Sequence, residues 1–566
     1  MKLRSLFACT IVSCLVLAAT LCAQGPASTG AASPDIPHFQ TQGNTTRLIV
    51  DGKPFLALAG ELNNDSATSV DYVNRLWPRL VQAKINTVLA GVSWNQIERQ
   101  EGKFDFSVLD GVIHGARSHN LRLVLLWFAS WKNSTSSYPP DWVKKDFDRF
   151  PRARTKAGRT VELLTPLSDA NRDADARAFA ALMRHVREVD SVEHTVIMIQ
   201  VENEVGMEGD SRDRSAAADK AFAGPVPREL MDYLAQRKST LIPEFRKVWE
   251  AAGSKTSGTW EEVFGPGAAT EGIFMAWHYA RYLDRVAAAG KAEYPIPMFV
   301  NAALYSVGKT EFPPSGGRPW DLVMDVWKAG APRLDMLSPD AYGNFPEFCA
   351  RYTRPGNPLF IPESLNGAVG AARVLYAFGR HDAIGFSAMG AVERSNGPDT
   401  DLIGSYDLIA QLAPLISKHQ GDGTMSAVLL GPDDPPQKVQ VGNYTLTVSF
   451  VKPRVAPLTQ PTPIPPNVFA AGIFIASGPD EYFVAGLGVD IAFAPNTPGP
   501  PLAGLATVEE GSFVEGRWVP GRMLAGDSTD EGHTIRISWP PGSWVPEYRQ
   551  RASPDAIQRV TLYRYR

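Results

Sequence analysis

The residues best suited to chemistry are two glutamates that each follow a short apolar run. Residues 195–206 form an apolar segment that ends in two carboxylates flanking an amide, and then a glycine. Such a run is typical of a strand buried on both faces, and parallel α/β folds place their chemistry at the carboxyl ends of strands. Glu363 follows a second apolar run in the same way. The pattern predicts that Glu204 and Glu363 lie at the same edge of a parallel sheet.

Two carboxyl groups at that edge indicate glycoside hydrolysis. One carboxyl protonates the leaving oxygen, and the other either attacks the anomeric carbon or activates a water molecule. Carboxyl groups about 5–5.5 Å apart retain the sugar's configuration, and groups about 6.5–9.5 Å apart invert it. Asn203 suits this chemistry, because an amide can hydrogen-bond the sugar 2-hydroxyl. We predict Glu204 as the proton donor.

Each of these residues also has a structural interpretation. A glutamate at a strand end can be salt-bridged or can cap a helix, but an Asn-Glu pair together with a second strand-end glutamate favours catalysis. Strand alternation puts Glu202 on the same side as Glu204 but deeper, so we expect a supporting carboxylate. Asn301 ends another apolar run, where it could reach the substrate or cap the following helix.

The elements that must position these residues are predicted strands that alternate with predicted helices along the chain. Eight short apolar segments predict strands at residues 55–60, 87–92, 122–127, 195–206, 297–301, 334–338, 358–361 and 384–388. Amphipathic patterns predict helices at residues 69–84, 108–117, 175–189 and 272–289, and residues 210–227 resemble a long loop. The alternation favours a (β/α)8 barrel, in which the fourth and seventh strands face each other across the pore. A doubly wound sheet is the alternative, although no glycine-rich phosphate loop follows the first strand.

The hydrophobic periodicity of the sequence changes after about residue 421. Period-two alternation, punctuated by Gly and Pro, predicts an all-β sandwich-like domain over residues 422–566. Its role is either to brace the barrel or to bind carbohydrate. The predicted organisation is a signal peptide (1–23), a flexible leader (24–45), an α/β catalytic barrel (46–421) and this accessory domain.

The N-terminus predicts export. A basic start precedes an apolar run over residues 6–21, and cleavage after Ala23 would leave a periplasmic or secreted protein. A lipoprotein anchored through Cys22 is the alternative. Three of the four cysteines lie in this segment, so cleavage leaves Cys349, which we expect to be a small buried apolar residue.

Composition excludes several classes of function. Among 566 residues, 44% are hydrophobic and 20% charged, and the net charge of −4 without a basic cluster argues against nucleic-acid binding. No Cys/His group has metal-ligand spacing, so we expect neither a metal nor a cofactor. The expected partner is a carbohydrate, with no membrane contact after cleavage, and the oligomeric state is left open.

A family resemblance lies on these same residues. Residues 200–206 resemble the Q-x-E-N-E-Y-G element of glycoside hydrolase family 35, the β-galactosidases of a large clan of retaining (β/α)8 glycosidases. Residues 94–98 and 101–106 are similar to that family's W-N-x-H-E-P-x-x-G-x-Y-D-F element, and Gly60-Glu61 matches a Gly-Glu of bacterial members. The resemblance covers residues 55–390.

The resemblance implies roles for individual residues. It implies that Glu204 is the acid/base, that Glu363 is the nucleophile, and that Tyr342 hydrogen-bonds the nucleophile. Glu61 would hydrogen-bond the sugar or buttress the floor of the pocket.

The sequence departs from the family pattern at several positions. Ile97, Arg99 and Val205 replace a His, a Pro and a Tyr of the motifs. Where the family carries an Ala-Glu pair that holds the sugar, Ser130 stands in place of the glutamate. We therefore expect recognition of the 3- and 4-hydroxyls to pass to the three residues that follow, Trp131, Lys132 and Asn133.

The sequence thus predicts a retaining, exo-acting β-galactosidase that releases terminal β-galactosyl residues from plant-type oligosaccharides. The first alternative keeps the chemistry and changes the sugar to a glucoside, arabinopyranoside or glucosaminide, or transfers it. The second is a non-catalytic carbohydrate-binding protein.

Overall fold

The computed structural model of the protein describes most of the chain. The described residues are 36–304, 315–390, 392–393, 399–452, 464–465, 467–541, 543–544 and 557–566. The predicted signal peptide, its cleavage site and most of the predicted leader lie outside them. The end of that leader was predicted wrongly, because His38–Gln42 is a strand that pairs with Thr45–Val50.

Eight parallel strands form the sheet on which the molecule is built. In chain order they are β1 (Ala57–Glu61), β2 (Thr87–Ser93), β3 (Arg122–Lys132), β4 (Val196–Asn203), β5 (Met298–Ala303), β6 (Met336–Asp340), β7 (Phe360–Ile361) and β8 (Gly385–Met389). Their order in the sheet is β6-β5-β4-β3-β2-β1-β8-β7. Each strand lies at a predicted apolar segment.

The two outer strands, β6 and β7, meet and close the sheet. Asp340 and Glu363 form a parallel bridge, in which the N–H of Ala341 donates to the carbonyl of Glu363 at 2.8 Å. Nearer the start of the strands, the side-chain amide of Asn357 pairs with Leu337, accepting from its N–H at 2.9 Å and donating to its carbonyl at 3.0 Å. We call this contact between β6 and β7 the seam. The predicted (β/α)8 barrel is confirmed.

A compact apolar cluster fills the lower half of the barrel. It contains residues of the first seven strands, among them Ala57, Val124 and Phe360, together with Ile384, which directly precedes β8. Leu48 and Val50, from the small N-terminal sheet, belong to the same cluster. That sheet therefore covers the amino-terminal end of the barrel, and polar residues are left for the carboxyl end.

Helices surround the strands. They span Val70–Val73, Trp77–Gln82, Trp94–Ile97, Ser107–Ser118, Asp141–Lys145, Asp169–Asp190, Ala216–Phe222, Arg228–Gln236, Pro243–Ala251, Trp260–Phe264, Ala268–Glu293, Met324–Gly330, Phe345–Tyr352, Gly367–His381 and Thr400–His419, with 3-10 turns at Ser66–Thr68, Asp321–Val323 and Gly526–Thr529. In the part of the chain that the structure describes, no helix has the length and apolarity needed to cross a membrane.

Two of the predictions between strands were wrong. The single helix expected at 69–84 is two short helices, because Pro78 lies in the first turn of the second, where a residue without an N–H fits best. The loop expected at 210–227 contains the helix Ala216–Phe222, which Ser215 caps through its side chain.

The C-terminal part is all-β, as predicted. A six-stranded antiparallel sheet contains Met425–Leu430, Ala470–Gly478, Glu481–Leu487, Leu502–Val514, Arg517–Leu524 and Ile557–Tyr565, and a four-stranded one contains Gln437–Val441, Tyr444–Phe450, Val489–Pro495 and Thr534–Ile537. The six-stranded sheet packs on the barrel helix Gly367–His381, the helix that follows β7. The barrel and this β-domain belong to one compact unit.

Candidate active site

Three carboxylates meet at the carboxyl end of the barrel. Glu204 follows β4, Asp340 ends β6 and Glu363 follows β7, and one oxygen of each lies within 4.8 Å of the others. The structure therefore brings the two predicted glutamates together. Asp340 was not predicted as a site residue, although it ends its strand as the two glutamates end theirs.

Glu363 is held by a tyrosine. The hydroxyl of Tyr342 donates to Oε2 of Glu363 at 2.8 Å, which is the contact that the family resemblance implies. Burial, and next the charge of Glu363, raise the pKa of Tyr342, so its hydroxyl stays protonated and remains a donor. Oε1 of Glu363 has no such donor among the described hydrogen bonds and is available to a substrate.

A buried arginine fixes the backbone on both sides of this pair. Arg373, on the helix Gly367–His381, donates to the carbonyls of Ala341 and Tyr342 at 2.8 and 2.9 Å and to Oγ of Ser364 at 3.2 Å. Burial lowers the pKa of Arg373 to about 10, so the guanidinium is still charged at neutral pH. The residues next to Tyr342 and Glu363 are thus tied to one helix.

Glu204 has an unusual backbone conformation that Asn301 supports. Its φ is +46°, a left-handed conformation that is costly for a residue with a side chain. Oδ1 of Asn301 accepts from the N–H of Glu204 at 2.9 Å, and its Nδ2 donates to Oδ2 of Asp340 at 2.9 Å. Both ends of the Asn301 amide are therefore engaged with protein groups. Asn301 thus holds Glu204 and Asp340, and its contact with substrate stays a prediction.

Burial and mutual repulsion keep protons in this cluster. Burial, and next the charge of Glu363, raise the pKa of Glu204. Burial, and next the charges of Glu363 and Glu204, raise the pKa of Asp340 well above its usual range. One oxygen of Glu204 and one of Asp340 lie within 4.8 Å of each other, and two carboxyl groups so close together repel least when one of them carries a proton. The three oxygens are also near enough together to hold a hard cation such as Mg²⁺ or Ca²⁺. A proton shared between two of these carboxyl groups would also reduce the repulsion among the three oxygens.

An irregularity at the end of β3 changes which side chains face the site. The register pairs Trp127 with Val201 but Lys132 with Asn203, so five residues of β3 oppose two of β4. The extra residues turn their amides away from the ladder, and Glu202 accepts from the N–H groups of Ala129, Ser130 and Trp131 at 3.3, 2.9 and 2.7 Å. Glu202 has φ +62°, which breaks the strand alternation. The prediction that it lies on the same side as Glu204 was wrong.

Because of the same irregularity, the side chains of two further residues point away from the site. Trp131 is fully buried against Tyr279 and Tyr282, and its predicted contact with the sugar was wrong. Ser130 donates to Oδ2 of Asp175 at 2.7 Å, so it faces the outer helix layer. Strand alternation could not have located these side chains, because the bulge changes the period.

Lys132 and the amides around it border the site. Nζ of Lys132 donates to Oδ1 of Asn203 at 2.9 Å and to Oδ1 of Asn133 at 2.8 Å. Asn203 is buried, and its Nδ2 has no protein partner among the described residues, so its contact with the sugar stays a prediction. Asn133 is exposed and reaches the site through Lys132.

Glu61 is the predicted site residue on β1. Glu61 ends β1, is buried, and lies near enough to add to the raised pKa values of Asp340 and Tyr342. Its contact with a sugar stays a prediction. Residues 305–314 and 394–398, which follow β5 and β8 in the chain, lie outside the described residues. Cys349, as predicted, is fully buried.

The comparisons with known proteins cover the barrel and the β-domain separately. Residues 69–285 match a family model described as β-galactosidase, that of glycoside hydrolase family 42. Residues 402–536 match a family described as a domain of unknown function. A β-galactosidase of Xanthomonas manihotis is 30% identical over 218 residues, which make up 37% of this chain and 32% of that protein. The chain thus spans about a third of the length of this curated relative.

Solved structures of lower identity also superpose. The β-galactosidases of Bacillus circulans sp. alkalophilus and Marinomonas ef1 give TM-scores of 0.43 and 0.44 at 16% and 14% identity, covering 64% and 65% of this chain and 57% and 60% of theirs. The catalytic domain of the β-amylase of Paenibacillus polymyxa gives 0.44 at 13% identity, over 64% of this chain and 98% of its own.

The family whose model matches is 42, whereas the motifs quoted above resemble family 35. The matching family and the curated relative are both described as β-galactosidase, so the predicted resemblance to β-galactosidases is confirmed, and the choice of family 35 stays a prediction.

Proposed function

We propose that the protein is a retaining β-galactosidase that releases terminal, non-reducing β-galactosyl residues from plant-type oligosaccharides. The observation that carries this proposal is the approach of Glu204 and Glu363 to within 4.8 Å, measured between their nearest oxygens. So close an approach of two oxygens favours the short carboxyl separation of retaining enzymes, about 5–5.5 Å, over the roughly 6.5–9.5 Å of inverting ones. The β-galactosidase description of the matching family supports the choice of sugar.

The first half of the reaction forms a covalent intermediate. Oε1 of Glu363 attacks the anomeric carbon while Oε2 stays hydrogen-bonded to Tyr342. The bond from the anomeric carbon to the aglycone oxygen breaks, and the proton of Glu204 passes to that oxygen. The raised pKa of Glu204 makes this proton available near neutral pH.

The second half releases the sugar. Glu204, now ionised, takes a proton from a water molecule, and the water oxygen attacks the anomeric carbon. The ester bond to Glu363 breaks and its carboxylate is restored. Two displacements at one carbon leave the product with the configuration of the substrate.

Aryl β-galactosides test the two roles separately. We expect Glu204→Gln to lower kcat/KM by about 10²–10⁴-fold, with the smaller loss for aglycones that leave without a proton. Glu363→Gln should reduce hydrolysis to background for every aglycone. Proton NMR of the wild-type reaction should show β-galactose as the first product.

Two controls accompany these variants. Glu188→Gln, at an exposed position of the helix Asp169–Asp190, should keep wild-type activity. Azide should rescue Glu363→Ala as the α-galactosyl azide and Glu204→Ala as the β-anomer. Full activity of either glutamine variant, or α-galactose as the first product, would refute the mechanism.

A second candidate keeps the chemistry and changes the sugar. Ser130, at the position of the family's sugar-binding glutamate, faces the helix layer, and Lys132 borders the site instead. An ammonium offers donors where a carboxylate would accept. A panel of aryl β-glucosides, α-L-arabinopyranosides and β-glucosaminides decides, and hydrolysis of the galactoside no faster than these would reject our choice. Glycan binding without turnover of any substrate would point to a binding protein.

A further inference from the structure

Lys132 is a buried cation beside the residue that precedes the acid/base. It ends β3, is 7% exposed, and is paired in register with Asn203 on β4. Its ammonium lies 4.8 Å from the ring centroid of Phe128, which shields it from one side. Burying a lysine is costly unless its charge and donors are used.

The contacts of Lys132 determine how the Asn203 amide is oriented. An ammonium group only donates, so the atom of Asn203 that lies 2.9 Å from Nζ must be the oxygen. Nδ2 then points away from the lysine, and it is buried without a protein partner among the described residues. A flipped amide would place two donors against each other and is strongly disfavoured. Asn133 Oδ1, at 2.8 Å from Nζ, keeps the ammonium in place.

We infer that Lys132 is a positioning residue, which locks the Asn203 amide so that its Nδ2 donates to the 2-hydroxyl oxygen of the substrate sugar. This inference rests on the proposed function. When the sugar 2-oxygen accepts from Asn203, its own hydrogen is free to be donated to the Glu363 carboxylate. Contacts to the 2-hydroxyl strengthen in the transition state of glycoside cleavage. Fixing the amide in advance therefore favours the transition state more than the bound substrate.

Lys132 also acts on Glu204 through its charge. The charged groups around Glu204 are Glu363 after β7, Asp340 on β6, Lys132 on β3 and Arg318, and the two cations lower the pKa that burial and Glu363 raise. Without Lys132 the pKa of Glu204 would be higher, so the alkaline limb of the pH–rate profile would move to higher pH.

The experiment compares an aryl β-galactoside with its 2-deoxy analogue. In Lys132→Met we expect kcat/KM on the galactoside to fall about 10- to 100-fold, mainly in kcat, and kcat/KM on the 2-deoxy substrate to change less than about threefold. Asn203→Ala should show the same selectivity, and the double variant should be no worse than Asn203→Ala alone. Lys132→Arg, which keeps the donors, should recover part of the activity. Lys145→Met, at an exposed lysine, is the matched control.

Each outcome decides the inference. Equal losses on both substrates, or additive losses in the double variant, would overturn the positioning role while leaving the proposed hydrolysis intact. If another glycoside of the panel is the better substrate, the comparison is made with that glycoside and its 2-deoxy form. Wild-type protein that hydrolyses no glycoside would overturn the proposed function and this inference with it.

Discussion

Asp340 is the residue whose role emerges only from the structure. Its carboxylate lies between the two proposed catalytic glutamates, and Asn301 holds it there. Because one of its oxygens lies within 4.8 Å of an oxygen of Glu204, we expect Asp340 and Glu204 to titrate as a pair and not as two independent acids.

Replacing Asp340 with asparagine should shift the pH dependence in a defined direction. Asp340→Asn removes a negative charge and supplies an N–H donor to Glu204, and both changes favour the ionised form of Glu204. Because its pKa falls, the proton is lost at lower pH, and the alkaline limb of kcat/KM should move down by about one pH unit. The pH–rate profile of an aryl galactoside measures this shift.

The control for this variant is Asp232→Asn, at an exposed site on the helix Arg228–Gln236. It should leave the profile unchanged. An alkaline limb that stays in place in Asp340→Asn, or moves to higher pH, would contradict the shared proton.

For single residues, the sequence correctly places side chains at strand ends and misplaces those at the bulge of β3. Glu204 and Glu363 were found because each ends an apolar run in a parallel sheet. Trp131 and Glu202 were misplaced because alternation assumes an unbroken ladder, whereas β3 carries extra residues and Glu202 has a positive φ. A sequence of alternating residue types carries no sign of such a bulge. The three amides freed by it needed an acceptor, and Glu202 is that acceptor.

The helix Gly367–His381 links two layers of the molecule. One face packs on the six-stranded sheet, and Arg373 on the same helix donates to the backbone next to Tyr342 and Glu363. The helix thus fixes the end of β7, next to Glu363, from outside the barrel. The strand and the helix were both within reach of sequence patterns, but this use of a buried arginine was not.

Removing the Arg373 side chain should affect both stability and turnover. Arg373→Met leaves buried carbonyls without donors, which should lower the free energy of unfolding by about 1–3 kcal/mol. Because Tyr342 and Glu363 lose their backbone support, kcat should fall about 10-fold or more at a temperature well below the unfolding midpoint. Urea denaturation and steady-state kinetics measure the two effects.

Arg380→Met, at an exposed position of the same helix, serves for comparison. Its guanidinium donates to Oγ of Ser426, in the β-domain, at 3.2 Å. It should retain wild-type kcat. A destabilised Arg373→Met with unchanged kcat would show that the arginine supports the fold and not the site.

The β-domain and the barrel fit together as parts of one core. Gly379 faces the sheet so closely that an added Cβ would lie 2.7 Å from both Cβ of Ala427 and Cγ1 of Ile473. Such closeness is typical of a fixed interface between domains and not of a flexible tether. The sequence predicted that the domain exists and that it is all-β, since alternation and turns are local signals. It left open which helix the domain covers, because that contact joins residues far apart in the chain.

A pair of glycine substitutions tests this interface. Gly379→Ala overpacks the contact and should lower the free energy of unfolding by about 1–3 kcal/mol. Gly404→Ala, in a helix at a position where an added Cβ meets nothing within 4 Å, should raise it by about 0.5–1 kcal/mol through helix propensity. Denaturant unfolding of both variants gives the comparison, and equal effects of the two substitutions would contradict a tight interface.

The seam gives the proposed nucleophile a second role. Strand β7 is two residues long, and the bridge that closes the barrel runs through the backbone of Glu363 itself. Local opening costs least where few backbone hydrogen bonds hold a sheet, so we expect the barrel to open first along the seam. Such an opening also withdraws Glu363 from Glu204. A substrate that contacts both carboxyl groups would therefore stabilise the closed seam between β6 and β7 while it is bound.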